Sequence, residues 1–379
     1  MKLRLVIITE IIAPYRIPVF NALTRHPEVE PHVIFLSETD SSLREWEVRK
    51  NEIAFSYEVL PSFRRRVGKY NLLLNRGITT ALRRAAPDVL LCGGYSYVAG
   101  WQAAAWARRR GVPVLLWIES TAQDRRRNFP AIERLKKRFV ESSDGFVVPG
   151  RSSAEYLKAF GVAEHMIFHA PNAVDNDFFA SRSGQKCDTN PSVRLPPRFF
   201  LFVGRLVAGK GVFDLMAAYG KLPPSLRENF SLVFAGGGTC RPELERLAHR
   251  IRPGKIVFTG FLEKEDLASI YGRAAVLVFP THSDVWGLVV NEAMASGLPV
   301  IATSVAGCVA DLVQDGWNGL VVPPSNPDTL AYAMESLAVN PELRASMAVH
   351  SRQRSREYSP EACARGLAQS ATALEGVHG

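Results

Sequence analysis

The chain has 379 residues, which is too long for one typical hydrophobic core and about right for two. Hydrophobic residues make up 47% of it and charged residues 22%, a composition that is typical of a folded soluble protein and excludes a disordered or collagen-like class. The formal net charge of +9 is uneven: residues 1–180 hold 26 Lys and Arg against 19 Asp and Glu, whereas residues 181–379 hold 20 against 18. The first half is therefore expected to attract an anionic partner.

Apolar, β-rich runs alternate with helix-length segments along the whole chain. The predicted strands are residues 3–8, 32–36, 88–92, 113–118, 145–148, 199–203, 232–235, 256–258, 276–279, 299–302 and 320–322. Such alternation predicts parallel sheets that are covered by helices on both faces, an α/β class.

One segment interrupts this alternation. Residues 181–197 are rich in Ser, Pro and Asn and have no apolar period, so they are predicted to link two domains. The predicted organisation is a doubly wound domain at 1–180, the linker at 181–197, a second doubly wound domain at 198–358, and a C-terminal helix at 359–379 with the option of packing back on the first domain.

The cysteines and the apolar runs indicate the compartment. The five cysteines are scattered and never spaced as CxxC, which argues against a disulfide framework or a zinc site. The first apolar run stops at Glu10, too soon for a signal-peptide core, and no stretch approaches the roughly 18–20 apolar residues of a membrane span. A cytoplasmic location is expected, with a peripheral position on the inner face of the plasma membrane as an option.

The first motif with chemical potential runs from Gly204 to Gly211, directly after a predicted strand and before a helix. Arg205 offers a donor fork for phosphate oxygens and Lys210 adds a point charge. The string also matches the GxxxxGK pattern of nucleotide hydrolases, but Gly211 replaces the Ser or Thr that would bind magnesium. The alternative is a solvated strand–helix turn without function.

The second motif runs from Pro280 to Val300. A predicted strand ends at Phe279, a loop carries Asp284, and a helix begins near Gly287, so that its free backbone N–H groups form an anion site. Glu292 lies inside this helix, where it can accept hydrogen bonds from a vicinal diol such as a ribose. The alternatives are an acid near the start of the helix for Asp284 and a solvated helix face for Glu292.

Together these motifs resemble glycosyltransferase family 4, the retaining GT-B glycosyltransferases also known as bacterial glycosyltransferase group 1. Gly204-Arg205 and Lys210-Gly211 are similar to the GR…KG phosphate loop of the family, and Asp284 with Glu292 to its E-x7-E block. Smaller similarities are found in Pro171–Asp175, in Phe234–Gly238, whose glycines follow a strand, and in Thr259–Leu262, which resembles the segment whose backbone reads the nucleobase. The match is specific for residues 145–375 and looser before them.

The resemblance implies two Rossmann-like domains that face each other across a cleft. It also implies transfer of a sugar from a nucleotide diphosphate sugar, UDP- or GDP-linked, to an acceptor hydroxyl. The nucleotide sugar is a co-substrate, and neither a cofactor nor a metal is expected to be required. The implied catalytic residues are Arg205, Lys210, Asp284 and Glu292. The implied donor-binding residues are Gly204, Arg205, Lys210, Gly237, Phe261, Leu262, Gly287, Leu288, Val289 and Glu292.

The chain also departs from the family pattern. Asp284 is one methylene shorter than the usual Glu, and the Gly-Gly pair that many members place in the first loop is missing. Arg16 is a candidate for the positive charge of that loop. The first-domain histidine of the family is also missing, and Glu119 or Asp124 is a candidate to orient an acceptor, with a structural role at a helix start as the alternative.

Other classes remain open. Asp175-Asn176-Asp177 reads as a DxD manganese signature, but it lies next to the predicted linker and not after a strand, so no metal is expected. A nucleotide-sugar epimerase on a similar fold is one alternative. A basic nucleic-acid-binding protein is another, but the Arg clusters are not interleaved with aromatic residues, so no nucleic acid partner is expected.

The basic first half predicts the nature of the acceptor. In a GT-B enzyme the first domain receives the acceptor, and we expect a glycan or a lipid-linked polysaccharide intermediate at an anionic membrane surface. Residues 131–141 place Ile132, Leu135, Phe139 and Val140 on one side of a predicted helix, with basic residues around them. This pattern is typical of a helix on an anionic membrane; the alternative is a core-packed helix with a solvated basic face.

Overall fold

The computed structural model describes residues 2–40, 48–67, 70–122, 130–182 and 195–378. They form two compact units, one of Met1–Val174 with Ser359–Gly379 and one of Asp175–Tyr358. The strands are β1 (Leu3–Thr9), β2 (Val29–Phe35), β3 (Ser56–Val59), β4 (Ser62–Val67), β5 (Tyr70–Asn75), β6 (Val89–Cys92), β7 (Val114–Trp117), β8 (Gly145–Val148), β9 (Ile167–His169), β10 (Phe199–Val203), β11 (Ser231–Ala235), β12 (Ile256–Gly260), β13 (Val276–Phe279), β14 (Val300–Thr303) and β15 (Gly319–Val322). The helices are α1 (Ile17–Thr24), α2 (Ile78–Ala85), α3 (Val98–Arg108), α4 (Pro130–Val140), α5 (Arg151–Lys158), α6 (Asn176–Arg182), α7 (Val212–Lys221), α8 (Pro224–Asn229), α9 (Arg241–Ala248), α10 (Lys264–Arg273), α11 (Leu288–Ala295), α12 (Val309–Leu312), α13 (Pro327–Val339), α14 (Pro341–Ser355) and α15 (Pro360–His378).

The first unit is built on a parallel sheet in the order β3-β2-β1-β6-β7-β8-β9. Alternate residues of β1 enter different cores: Leu5 and Ile7 pack with α1 and α15 on one face, whereas Val6 and Ile8 pack with α2 and α3 on the other. Leu5–Ile8 of β1 are buried on both faces of the sheet, which is why this part of the strand reads as a continuous hydrophobic run, whereas Arg4 before it is exposed.

The last helix belongs to the first unit. Cys363, Leu367, Ala371 and Leu374 of α15 are buried in the core that also contains Leu5. Their helical spacing places these side chains on one stripe of the helix. Gly366 permits close contact with the sheet, because a Cβ there would lie 2.2 Å from the carbonyl oxygen of His169.

The second unit has a parallel sheet in the order β12-β11-β10-β13-β14-β15. A core on one face of this sheet joins Phe234 and Val278 to Leu215 of α7 and Met334 of α13. The prediction of two Rossmann-like α/β domains is therefore confirmed.

The division between the units differs from the predicted boundary at residue 180. It falls at Val174 and Asp175, because α6 packs within the second unit: the ring of Phe179 lies edge-on to Tyr271 at 5.9 Å. Ser181 and Arg182 end this helix and are not part of a linker. Residues 183–194 of the predicted linker lie outside the described residues.

The basic helix predicted at 131–141 forms as α4. Phe139 and Val140 are buried, with the ring of Phe139 edge-on to Trp101 at 4.5 Å, whereas Lys137 and Arg138 are exposed. These side chains fit the core-packed alternative. The side chains of residues 132 and 135 lie outside the described residues, and so does the side chain at 131. Among the described residues, no helix has the length and hydropathy needed to cross a bilayer.

Two features were missed by the sequence patterns. The short strands β3 and β9 extend the first sheet at its two edges. The antiparallel hairpin β4–β5 pairs separately from that sheet, with Phe63 opposite Leu74 and Arg65 opposite Leu72.

Candidate active site

The topology of the second sheet identifies the place where a ligand is expected. The strands β11 and β12 lie on one side of β10, and β13, β14 and β15 lie on the other, so the order reverses between β10 and β13. Ligands of open α/β sheets bind outside the carboxyl ends of the strands at such a reversal. The loops that begin there start at Gly204 and Pro280, which are the first residues of the two predicted motifs.

The loop after β10 carries the two predicted phosphate ligands. Arg205 is exposed, and among the described residues no carboxylate forms an ion pair with it. Lys210 ends a short 3-10 turn, and its Nζ forms an ion pair with Oδ2 of Asp284, with about one fifth of each side chain exposed. The adjacency of β10 and β13 thus brings Lys210 and Asp284 together.

Glycine is required where this loop meets the next one. Gly211 has a φ of +68°, and a Cβ there would lie 1.9 Å from the carbonyl oxygen of Pro280. The backbone N–H of His282 also donates to the carbonyl of Gly209 at 3.0 Å. The loops after β10 and β13 are therefore in direct backbone contact.

Replacing Gly211 by alanine should lower the free energy of unfolding by about 1–3 kcal/mol or more, because strain at this φ adds to the collision with Pro280. Urea denaturation followed by circular dichroism would measure the loss. Gly209→Ala is the matched control, because no atom lies within 4 Å of a Cβ there. Equal stability of the two variants would contradict the assigned role of Gly211.

The loop after β13 leads into α11 and is fixed by backbone contacts. The backbone N–H of Gly307 donates to the carbonyl of Asp284 at 2.9 Å, and that of Cys308 to the carbonyl of Trp286 at 3.2 Å. Gly287 precedes the helix with a φ of +106°, and no side chain caps the amino end. The first N–H groups of α11, at the predicted residues Leu288 and Val289, have no acceptor within the helix.

Glu292 lies one turn further along α11 and is hydrogen-bonded to a residue that the sequence patterns did not single out. The hydroxyl of Tyr271, a fully buried residue of α10, donates to Oε2 of Glu292 at 2.7 Å. Burial raises the pKa of Glu292 to about 7, against the opposing effects of the Tyr271 hydrogen bond and the charge of Lys264. Its acidity is therefore tuned by α10, and Glu292 is not on a solvated helix face.

Other predicted donor-binding residues follow β11 and β12, the strands on one side of β10. The backbone N–H of Leu206 donates to the carbonyl of Gly237 at 2.7 Å, and a Cβ on Gly236 would lie 2.1 Å from the carbonyl oxygen of Gly204. The backbone N–H of Gly236 donates to the carbonyl of Gly260 at 2.8 Å. Phe261 and Leu262 follow β12 directly; Phe261 is exposed and Leu262 is half-buried.

A further pair at this edge was also missed by the sequence patterns. His282 Nε2 lies 2.6 Å from Oδ2 of Asp214 in the first turn of α7. The pair joins α7 to the loop after β13. A lone histidine in a loop gives no sequence signal of its partner, which is 68 residues away.

The candidate residues of the first unit form a different cluster. Arg16 follows β1, and its guanidinium forms an ion pair with Glu119, which follows β7. The guanidinium carbon also lies 3.8 Å from the centre of the Trp117 ring. Arg16 and Glu119 are thus together, whereas Asp124 lies outside the described residues.

The first aspartate of the DxD string, Asp175, has a structural setting. The backbone N–H of Phe178 donates to Oδ1 of Asp175 at 3.0 Å, which stabilises the start of α6. Lys264 Nζ lies 3.7 Å from Oδ2 of the same residue. No group of three potential metal-binding side chains occurs in the part of the chain that the structure describes.

Known protein structures share this fold. Sucrose-phosphate synthase of Thermosynechococcus elongatus superposes with a TM-score of 0.75 at 19% identity, over 99% of this chain and 100% of that one. HepE of Anabaena, solved in complex with UDP, superposes with a TM-score of 0.74 at 16% identity, over 99% and 100%. The fold is that of the GT-B glycosyltransferases.

Sequence comparison assigns the family. The model described as glycosyl transferases group 1 matches residues 189–354, and the one described as glycosyltransferase family 4 matches residues 21–178. The chain belongs to the group 1 glycosyltransferases, within glycosyltransferase family 4. A D-inositol 3-phosphate glycosyltransferase of Xylanimonas cellulosilytica is 32% identical over 245 residues, 61% of this chain and 57% of that protein. Matches to two other curated relatives span 35% and 38% of their lengths.

Proposed function

We propose that this protein transfers a sugar from a nucleotide diphosphate sugar to an acceptor hydroxyl with retention of the anomeric configuration. The observation that carries the proposal is the reversal of strand order between β10 and β13, where the loop with Arg205 and Lys210 meets the loop that begins α11. Membership of the group 1 family supports the same reaction.

The donor side of the proposal follows from this geometry. A diphosphate at the amino end of α11 would lie between its unbonded N–H groups and the guanidinium of Arg205. Lys210 would exchange its partner Asp284 for phosphate oxygens, and Asp284 would then be available to a sugar hydroxyl. The carboxylate of Glu292 would accept hydrogen bonds from the ribose, close to Phe261 and Leu262 at the nucleobase.

The same residues suggest the reaction mechanism. Negative charge develops on the leaving diphosphate as the sugar departs, and fixed positive charges at that position stabilise the transition state more than the ground state. A phosphate oxygen on the face that the sugar leaves would take the proton of the acceptor hydroxyl. No side-chain base is required in this mechanism. This fits the sequence directly after Ile118, where Glu119 and Ser120 stand and the histidine of the family is missing.

The acceptor would be anionic and carried by a lipid, as an intermediate of a bacterial surface polysaccharide. The support is the charge of the first half of the chain, with seven more basic than acidic residues in 1–180. The relative from Xylanimonas cellulosilytica has a phosphorylated compound, D-inositol 3-phosphate, in its name. Arg16 and Glu119 are candidates to orient the acceptor.

The function is tested by incubating the protein with a panel of UDP- and GDP-sugars. The expected result is thermal stabilisation by one nucleotide class and slow hydrolysis of one sugar nucleotide, and nuclear magnetic resonance of the released sugar would report retention. Stabilisation by no nucleotide would overturn the proposed donor site. Inversion at the anomeric carbon would overturn the mechanism alone, and release of an epimer would identify an epimerase.

Activity is expected to survive removal of divalent cations. The reason is that Asp175 of the DxD string is engaged at the start of α6 and with Lys264, while Arg205 and Lys210 supply the positive charge at the proposed diphosphate. Turnover measured with and without EDTA should agree within experimental error. Loss of activity that manganese restores would refute this expectation.

A further inference from the structure

The hairpin β4–β5 of the first unit exposes an apolar face. Phe63 is 61% exposed, Leu72 41% and Leu74 40%. These residues share one face of the hairpin, because Phe63 lies opposite Leu74 and Arg65 lies opposite Leu72 in the antiparallel register. A face with three large exposed apolar side chains close together differs from the isolated apolar residues that are normal on a protein surface.

The opposite face of the hairpin anchors it to the first unit. Arg64 Nη1 lies 3.1 Å from Oε1 of Glu10 and 2.5 Å from Oδ2 of Asp40, which is 3% exposed. Leu73 is buried in the core that contains Val6 and Ile8. The ion pairs of Arg64 and the buried side chain of Leu73 therefore hold the hairpin against the first unit, and its apolar face is turned away from the core.

The charge of the segment indicates the partner. Residues 62–76 contain five Lys and Arg and no acidic residue. Arg64 is paired with Glu10 and Asp40, whereas Arg65 is exposed on the apolar face itself. A second copy of the chain would bring two such segments of like charge together, whereas a lipid bilayer with anionic headgroups complements both the charge and the apolar side chains.

We propose that the hairpin β4–β5 is a membrane-docking surface, which inserts Phe63, Leu72 and Leu74 into an anionic bilayer while Arg65 contacts the headgroups. The hairpin, and not α4, would then be the membrane contact of the first unit, because Phe139 and Val140 of α4 are packed in the core. The inference deepens the proposed function and rests on it for its purpose, since it brings the first unit to a lipid-borne acceptor.

Flotation with liposomes tests the docking surface. The full chain should bind vesicles of phosphatidylcholine with phosphatidylglycerol, bind phosphatidylcholine alone weakly, and dissociate as salt is added. The combined variant Phe63→Ser, Leu72→Ser and Leu74→Ser should lower the partition coefficient by about tenfold or more, because transfer of each apolar side chain is lost. Arg65→Gln should lower it about fivefold.

A matched control uses exposed apolar residues of the second unit. Tyr332, Val339 and Val349 are 74%, 64% and 61% exposed, so their replacement by serine removes a similar apolar area elsewhere. This control should bind vesicles like the wild type. Both triple variants should keep their circular dichroism spectrum and melting temperature, because the replaced side chains lie on the surface.

Four outcomes distinguish the hypotheses. Wild-type binding by the folded hairpin variant would overturn the docking surface, and so would equal losses in both triple variants. Self-association that disappears in the hairpin variant, measured by light scattering, without vesicle binding would assign the face to a second copy and overturn the proposal. Nucleotide binding measured without vesicles should not change in the hairpin variant. If the wild type binds no nucleotide, the proposed function is overturned, and the docking surface is then judged by vesicle binding alone.

Discussion

Replacing Arg205 by alanine is expected to lower kcat by about 100- to 1,000-fold with little loss of stability. Removing one preorganised donor from a site of developing negative charge typically costs about 3–4 kcal/mol of transition-state stabilisation. Arg205 is exposed, so its removal leaves no buried partner unsatisfied. Steady-state kinetics with the donor found in the nucleotide panel would measure the effect.

Two further variants make this result specific. Lys210→Ala should lower kcat to a similar extent, but it also leaves Asp284 without its ion-pair partner, so its stability must be measured separately. Arg246→Ala, an exposed arginine in the last turn of α9, is the control for a general loss of positive charge. Wild-type kcat/KM in folded Arg205→Ala and Lys210→Ala would exclude the phosphate role of this loop.

Glu292 should make both stability and donor binding depend on pH. Its pKa is about 7 in the folded protein and ordinarily 4.5, so the folded state binds more protons between these values. The free energy of unfolding should therefore fall as the pH rises through this window. Glu292→Gln removes the effect: its melting temperature should equal that of the wild type near the lower value and exceed it above the upper value.

The same carboxylate should bind the donor best when ionised. The KM for the nucleotide sugar is expected to fall as the pH rises through about 7, and Glu292→Gln should raise KM at high pH about 10- to 100-fold, the range for hydrogen bonds to a charged group. Tyr271→Phe is the sharpest control, because it keeps the ring and removes only the hydroxyl. Since that hydroxyl lowers the pKa of Glu292, the midpoint of the KM profile should move to higher pH. An unmoved midpoint would show that another group titrates.

The buried strands could be predicted from the sequence because of their environment. The strands β10 and β13 lie within a sheet covered on both faces, so every side chain is apolar and the run stands out. The hairpin strand β4 carries three consecutive arginines, and only the fold places Arg64 against Glu10 and Arg65 in solvent. Strand alternation gives no signal for such a basic segment.

The candidate site was predictable in its elements and not in its contacts. Strand order could place Lys210 and Asp284 at the same edge, since each follows one of two adjacent strands. That they pair with each other depends on side-chain geometry. The hydrogen bond between Tyr271 and Glu292 joins two helices, and a tyrosine with core spacing in α10 carries no mark of this role.

The position of α15 has a consequence for the order of synthesis. The first unit contains residues from before and after the second, so its core cannot close when only residues 1–174 have left the ribosome. Leu5 and Ile7 of β1 remain without the cover of Leu367 and Leu374 until the whole second unit has been translated. The second unit, continuous in sequence, can complete its core earlier. A chain that ends before Ser359 and has been released from the ribosome is therefore expected to fold its second unit, while the half that was made first is still a target for chaperones and proteases.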